Sequence, residues 1–285
     1  MAKDKNLAYS GSRADTLPQG SSFDLQRSVV YNQELAYQQQ FNPVASGGVR
    51  GKYIWRNYEK GRGDEFQRDY TAFMGADLSD DTRLQTTLGY SMGELSGANQ
   101  YESNGVSDTV IGSIRLQSQL TENLSHVAGY GRSQRGGFSS GFEVADEYSY
   151  GVSWVSQDWS FGILTAYKVV KPRLYETSAY TSDYTDWLNR FTMARPLSPD
   201  LTLTFGTEYA IRDSKQTLVG DTGEADPIVG SSYDTWTSNI GLAYVLARHL
   251  TANAYVEHME RFSDVEDLAL SRNMAGVTLT YRRDL

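Results

Sequence analysis

The sequence predicts an all-β chain: one closed, antiparallel, up-and-down barrel of about fourteen strands, with roughly twelve to sixteen compatible with the pattern. Three observations carry this. Long segments alternate apolar and polar residues with period two, which puts the two sets on opposite faces of a strand. Short and long connections alternate along all 285 residues. The second face of each strand is built from Gly, Ser, Thr, Asn and Gln with occasional charges, which is poor material for a soluble core.

In chain order, "NLAYSGS" (6–12) supplies a first strand, followed by strands near 22–38, 46–58 and 64–78. "RLQTTLGYSMGEL" places Leu84, Thr86, Leu88, Tyr90 and Met92 on one face of the next, 82–94. "VIGSIRLQSQL" sets Val110, Gly112, Ile114 and Leu116 against Ile111, Ser113, Arg115 and Gln117, within 106–120. Strands near 123–135, 143–156 ("EYSYGVSWV"), 158–171 and 183–196 follow. In "LTLTFGTEYAIRD" (201–213), within the strand near 200–213, every second residue from Leu201 to Ile211 is apolar or uncharged: Leu201, Leu203, Phe205, Thr207, Tyr209, Ile211. The last strands lie near 231–246 ("DTWTSNIGLAYVL"), 250–263 and 266–282.

The connections explain where these strands stop. "LSDDTRL", "LTENL", "SQDWS", "LSPDL" and "LARHL" flank two or three turn formers with apolar residues, a tight-hairpin signature. "SGANQYESNG", "SQRGGFSSGF", "KPRLYETSAYTSD" and "SKQTLVGDTGEADPIVGSS" are longer and polar. Short turns on one side and long loops on the other are the habit of transmembrane barrels. Strands of this length exceed the five or six residues usual in a soluble sandwich, yet suit a tilted span. The apolar faces are therefore expected to meet lipid and the polar faces a lumen. No linker marks a second domain, so residues 1–285 read as one unit.

Composition narrows the function classes. The chain has no cysteine, which excludes disulfides and thiolate metal sites. A formal net charge of −9 argues against nucleic acid as a partner. No segment is apolar for long enough to make a membrane helix, and a mean hydropathy of −0.50 is what alternation averages to. "MAKDKNLAYSGSR" has no apolar signal region, so the barrel reading expects a signal peptide already removed.

The final strand, "NMAGVTLTYRRDL", carries Gly276, Leu279 and Tyr281 in the spacing of the C-terminal signal by which outer-membrane barrels are recognised for insertion. It departs from that signal in running on through "RRDL" and in having Met274 where a polar residue is usual. On these features the chain resembles a Gram-negative outer-membrane β-barrel. Within that class it looks most like the porin-like barrels of exopolysaccharide export systems, and more weakly like the barrels that sheathe multihaem cytochromes. The resemblance implies an outer-membrane location, lipid and the barrel assembly machinery as partners, and a periplasmic export or scaffold partner.

The site expectations follow. If apolar faces meet lipid, the pore-lining set is Arg115, Gln117, Lys168, Arg190, Thr202, Thr204, Glu208, Arg212, Asn239, Asn253 and Glu257. Trp154, Trp159, Phe161, Trp236 and Tyr244 sit where interfacial aromatics belong. Mixed charges among hydroxyls suit a channel for small hydrophilic solutes or a secreted polysaccharide. The alternatives are a non-conducting scaffold holding a periplasmic partner, and an outer-membrane hydrolase. Against the last, His126, His249 and His258 show no Ser or Asp at informative spacing, and no catalytic residue, cofactor or metal is expected. The acidic loop 214–230, with Asp221, Glu224 and Asp226, is expected to be solvated.

Overall fold

A computed structural model describes residues 5–16, 28–58, 64–96, 105–137, 141–173, 180–218, 232–247, 249–263 and 269–281. They form one antiparallel sheet of fourteen strands whose hydrogen-bonded order is the chain order. These are β1 (Lys5–Thr16), β2 (Ser28–Asn42), β3 (Ala45–Tyr58), β4 (Asp64–Ser79), β5 (Thr82–Ser96), β6 (Gly105–Gln119) and β7 (Leu124–Gly137). Next come β8 (Gly141–Val155), β9 (Ser160–Arg173), β10 (Tyr180–Ser198), β11 (Leu201–Leu218), β12 (Tyr233–Ala247), β13 (Leu250–Ser263) and β14 (Leu270–Tyr281). Among the described residues no ladder joins β1 to β14.

The short turns fall where expected, at 80–81, 120–123, 156–159 and 199–200. One was missed: Pro43 and Val44 join β2 to β3, where Asn42 Oδ1 accepts from the Val44 amide at 2.9 Å. The second strand, expected at 22–38, runs on to Asn42, and residues 22–27 lie outside the described residues. "YQQQFN" is polar enough to read as a loop, yet it continues β2 to Asn42 and pairs with Ser46, Gly47 and Gly48. On the other side the strands outrun the sequence limits. Most of "SQRGGFSSGF" is strand, as is the start of the 214–230 loop through Leu218. Asp221, Glu224 and Asp226 lie outside the described residues.

Which face is concave follows from contacts that skip strands. Neighbouring strands lie about 4.8 Å apart, so residues three strands apart meet only across the hollow of a curved sheet. Gln67 of β4 donates to the backbone carbonyl of Gln134 in β7 at 2.9 Å, and Arg135 of β7 bonds the hydroxyl of Tyr184 in β10. Gln67 and Tyr184 belong to the polar set. The polar face is therefore the inner one.

The convex face carries the apolar set: Leu88 is 66% exposed, Ile163 60% and Val277 74%. Water-exposed apolar surface on this scale is unusual in a soluble monomer. Aromatic rows edge it at both ends. Near the short turns, Trp154, Phe161, Phe191 and Phe205 follow one another at ring separations of 5.5, 6.3 and 6.3 Å, with Trp159 stacked on Phe161. Near the long loops, Tyr209 and Trp236 face each other across β11 and β12. Three tyrosines there, Tyr90, Tyr130 and Tyr209, each bond an aspartate one rung farther out: Asp108, Asp146 and Asp234. A phenol reaching from an apolar belt to a carboxylate is how an amphipathic ring sits at a boundary. From the Leu201–Tyr244 rung to the Tyr209–Trp236 rung is eight residues. At about 3.3 Å per residue and a tilt near 40° that is roughly 20 Å of height, comparable with a bilayer's apolar core.

Candidate functional site

The ladders locate the feature that distinguishes this lumen. β5 and β6 pair to the top of the wall, ending at Leu95 and Gly105, whereas β6 and β7 stop pairing at Gly112 and Arg132. On the far side, β9 and β10 stop at Val170 and Tyr184. Between these breaks, the upper ends of β7, β8 and β9 remain paired to each other, through Gly137 with Gly141 and Phe142 with Arg173. They form a flap that leaves the wall and folds inward across the lumenal face of β6, β5 and β4.

Its docking is close. Phe142 is fully buried, Val144 is 3% exposed, and Ile111 of the lumenal wall is 8% exposed. A side-chain carbon on Gly93 would lie 2.4 Å from the Phe142 ring, and one on Gly136 would lie 1.9 Å from Glu65 Oε1. Glycine at both positions is what lets the backbones approach. Polar groups complete the seam. Gln134 Nε2 donates to the Ser107 carbonyl at 3.2 Å, an acceptor on the β6 edge that β7 no longer covers. Gln67 donates to the Gln134 carbonyl, and Asp69 accepts from Ser91 at 2.6 Å. Beneath Gly136, Arg56 donates to both oxygens of Glu65 at 2.9 and 2.8 Å, with Glu65 only 2% exposed.

The lumenal side of the flap faces β10 and its neighbours. Arg135 donates to Glu143 at 2.9 Å, and Tyr184 lies against both. Arg212 donates to both oxygens of Asp186 at 2.6 and 2.8 Å, while its guanidinium stacks over Tyr184 at 4.2 Å and faces Tyr233 at 5.4 Å. Arg261 also lies over the Tyr233 ring, at 4.6 Å. Such stacking joins charge to aromatic surface in the outer half of the lumen.

The eleven pore-lining candidates all fall on the inner face by register: Arg115 and Gln117 on β6, Lys168 on β9, Arg190 on β10, Thr202, Thr204, Glu208 and Arg212 on β11, Asn239 on β12, and Asn253 and Glu257 on β13. Most of the charged ones are engaged in the wall. Arg190 donates to Glu208 at 2.7 Å, and Glu257 meets Arg272 of β14 at 3.6 Å. Lys168 lies directly across from Glu147 and Asp186. Among the described residues the Arg115 side chain has no hydrogen bond or ion pair. The residues that the sequence reading missed are those of the flap: Gln134, Arg135, Gly136, Phe142 and Val144. Their one sequence signal was Phe142, a large apolar residue closing the connection 133–142, with Val144 just inside the strand expected at 143–156.

Of the aromatic candidates, Trp154, Trp159, Phe161 and Tyr244 lie toward the short turns and Trp236 toward the long loops. Gly276 faces inward opposite Tyr255, while Leu279 and Tyr281 face outward, 65% and 68% exposed. The histidines do not enter the lumen. His126 and His258 are on the convex face, and His249 is in a short turn beside Tyr281. The sheet does bring Ser238 and Asn273, distant in sequence, to either side of His258. His258 Nδ1 lies 2.9 Å from Asn273 Oδ1, but Nε2 faces Glu260 at 4.0 Å and no hydrogen bond joins it to Ser238. A base held away from the hydroxyl is not an activated nucleophile. Among the described residues no group of His, Cys, Asp and Glu is arranged to hold a metal ion.

No family model matches the chain, and no curated protein matches its sequence. Solved structures do match. The FrpB iron transporter of Neisseria meningitidis is similar at a TM-score of 0.58 and 11% identity, over 89% of this chain and 47% of that one. The copper transporter OprC is similar at 0.53 and 11%, over 96% and 60%. The ferric yersiniabactin uptake receptor FyuA of Yersinia pestis is similar at 0.52 and 11%, over 97% and 58%. This chain thus spans about half the length of the first. At such identity the likeness is one of fold, and the fold is that of Gram-negative outer-membrane β-barrels: fourteen antiparallel strands in up-and-down order.

Proposed function

We propose that the chain is an outer-membrane channel, a closed barrel that passes small hydrophilic solutes through a lumen narrowed at its outer mouth by the flap. The observation that carries this is the inversion of the sheet: apolar outside, with Gly, Ser, Thr, Asn and paired charges inside. A wall in which Arg190–Glu208, Arg212–Asp186 and Glu257–Arg272 neutralise each other presents water with a polar, nearly balanced surface. Such a surface suits passage without strong ion choice. The convex face meets lipid, and Gly276, Leu279 and Tyr281 serve recognition by the barrel assembly machinery. Export of a polysaccharide, with a periplasmic partner at the short-turn end, is the finer form of the same reading. No catalysis is assigned.

One observation favours a second reading. The flap covers part of the lumen and is held by buried contacts, which suits a barrel that conducts nothing and serves as a scaffold. Planar-bilayer recording separates the two, using protein shown to be folded by its heat-modifiable gel migration. Stable conductance steps support the channel. Folded, inserted and silent protein refutes it and leaves the scaffold.

A further inference from the structure

The flap overhangs a depression of about 640 Å3 on the lumenal face, which runs on toward the short turns into a second of about 380 Å3. Arg115 lines both. It lies on the short-turn half of β6, four positions from its end at Gln119 and three from Gly112, where β7 leaves the wall. A solute moving beneath the flap along this side of the barrel meets Arg115.

Two things about this arginine differ from Arg190, Arg212 and Arg272. Arg190, Arg212 and Arg272 are each held by a carboxylate in the wall. Arg115 has none among the described residues: its rung neighbours are Gln85 on β5 and Gly129 on β7, and the glycine leaves the guanidinium room to turn. The surface around it is dense in hydroxyls. Thr87 and Ser113 bond each other at 2.8 Å on one side, Ser125 and Ser153 at 2.7 Å on the other, and Thr192 closes the lower depression beside Arg190. Hydroxyl pairs are donors and acceptors at once, so they exchange readily with the hydroxyls of a sugar. A guanidinium without a partner presents a planar donor fork matched to a carboxylate.

We infer that the trough from β6 to β10 is a binding subsite for an acidic saccharide, with Arg115 taking the carboxylate and the surrounding Ser and Thr hydroxyls taking ring hydroxyls. This rests on the polar face being a water-filled lumen and deepens the channel reading by naming its solute class. Binding here is weak and exchangeable by construction, because the site is open and Arg115 is exposed. That suits a subsite a solute must leave as well as enter. Arg190, Arg212 and Arg272 add no equivalent site, since their carboxylate partners would have to be displaced first.

The test is equilibrium binding to the folded, detergent-solubilised barrel by titration calorimetry, at low salt and again at 0.15 M ionic strength. The probes are a 1,4-linked glucuronate trimer, the matching glucose trimer and inorganic sulfate. The inference expects the uronate trimer to bind more tightly than both others. It expects Arg115→Gln to weaken that binding about tenfold to a hundredfold, the range a charge-assisted hydrogen bond commands. Arg272→Gln, engaged by Glu257 on β13 and outside both depressions, changes it far less. Equal binding of the two trimers, equal binding of sulfate and uronate, or an unchanged constant in Arg115→Gln each overturns it. Calorimetry needs no conductance. A conducting barrel that fails to bind refutes this subsite alone, and a binding barrel that is silent in bilayers refutes the channel alone.

Discussion

Phe142→Ala tests the flap most sharply. The ring is fully buried against the lumenal face of β5 at Gly93, and its removal deletes the largest apolar contact the flap makes. Phe→Ala at such a site costs about 3–5 kcal/mol. The cost falls on the docking equilibrium, because Phe142 contacts the wall only while the flap is folded in. With each 1.4 kcal/mol a factor of ten, the undocked-to-docked ratio rises about a hundredfold to a few thousandfold. The bond from Gln67 to the Gln134 carbonyl and that from Gln134 to Ser107 remain, so the flap is loosened and not abolished. In single-channel recordings the variant is expected to visit a higher conductance level that the parent visits rarely, with added current noise. Its heat-modifiable gel transition stays where the parent's is, since the wall ladders are untouched. Traces that superimpose on the parent's in level and noise would refute a docked, lumen-narrowing flap.

Other consequences are simpler. Gly136→Ala puts a carbon onto the Arg56–Glu65 pair and is expected to reproduce the Phe142→Ala phenotype; a parent-like recording counts against the close approach. Arginine at Leu88 on the convex face is expected to lower folding stability by about 2–4 kcal/mol in lipid, while arginine at Thr204 on the concave face costs little; comparing urea unfolding of the two in vesicles checks this. The Arg190–Glu208 pair is partly exposed, so a double-mutant cycle on unfolding should return a coupling of only about 0.2–1 kcal/mol; a much larger value would mean that the wall pairs are rigid struts. Tyr281→Ala is expected to slow assembly into membranes by the insertion machinery while leaving unassisted refolding in detergent nearly unchanged.

Alternation alone located almost every strand, because a period of two with an apolar face is a local signal repeated along the chain. β13 runs from Leu250 to Ser263, the span its pattern implies. Turn chemistry located the short connections for the same reason, Ser198–Pro199–Asp200 being one example. What was illegible depends on contacts between strands distant in sequence. Gln134 and Gly136 read as loop residues, since nothing nearby shows that Gln67, Gly93 and Glu65 wait across the lumen to receive them. Arg212 read only as a pore-lining residue, because Asp186 and Tyr184, which engage it, lie in another strand. Arg115 read the same way, and only the register with Gly129 and Gln85 separates it from Arg212. The row Ser238, His258 and Asn273 likewise needs three strands to be aligned before it exists.

The central claim is that the apolar face of the sheet meets lipid and the polar face meets water. The chain has no cysteine, so single cysteines can be placed one at a time along β11, from Leu203 to Arg212, without background labelling. Each variant is reconstituted into lipid vesicles and exposed to a small, charged, water-soluble maleimide. The account predicts rapid labelling at Thr204, Gly206, Glu208 and Arg212, and protection at Leu203, Phe205, Tyr209 and Ile211. Labelling of the second set with protection of the first would contradict it and return the molecule to a soluble fold with an apolar interior.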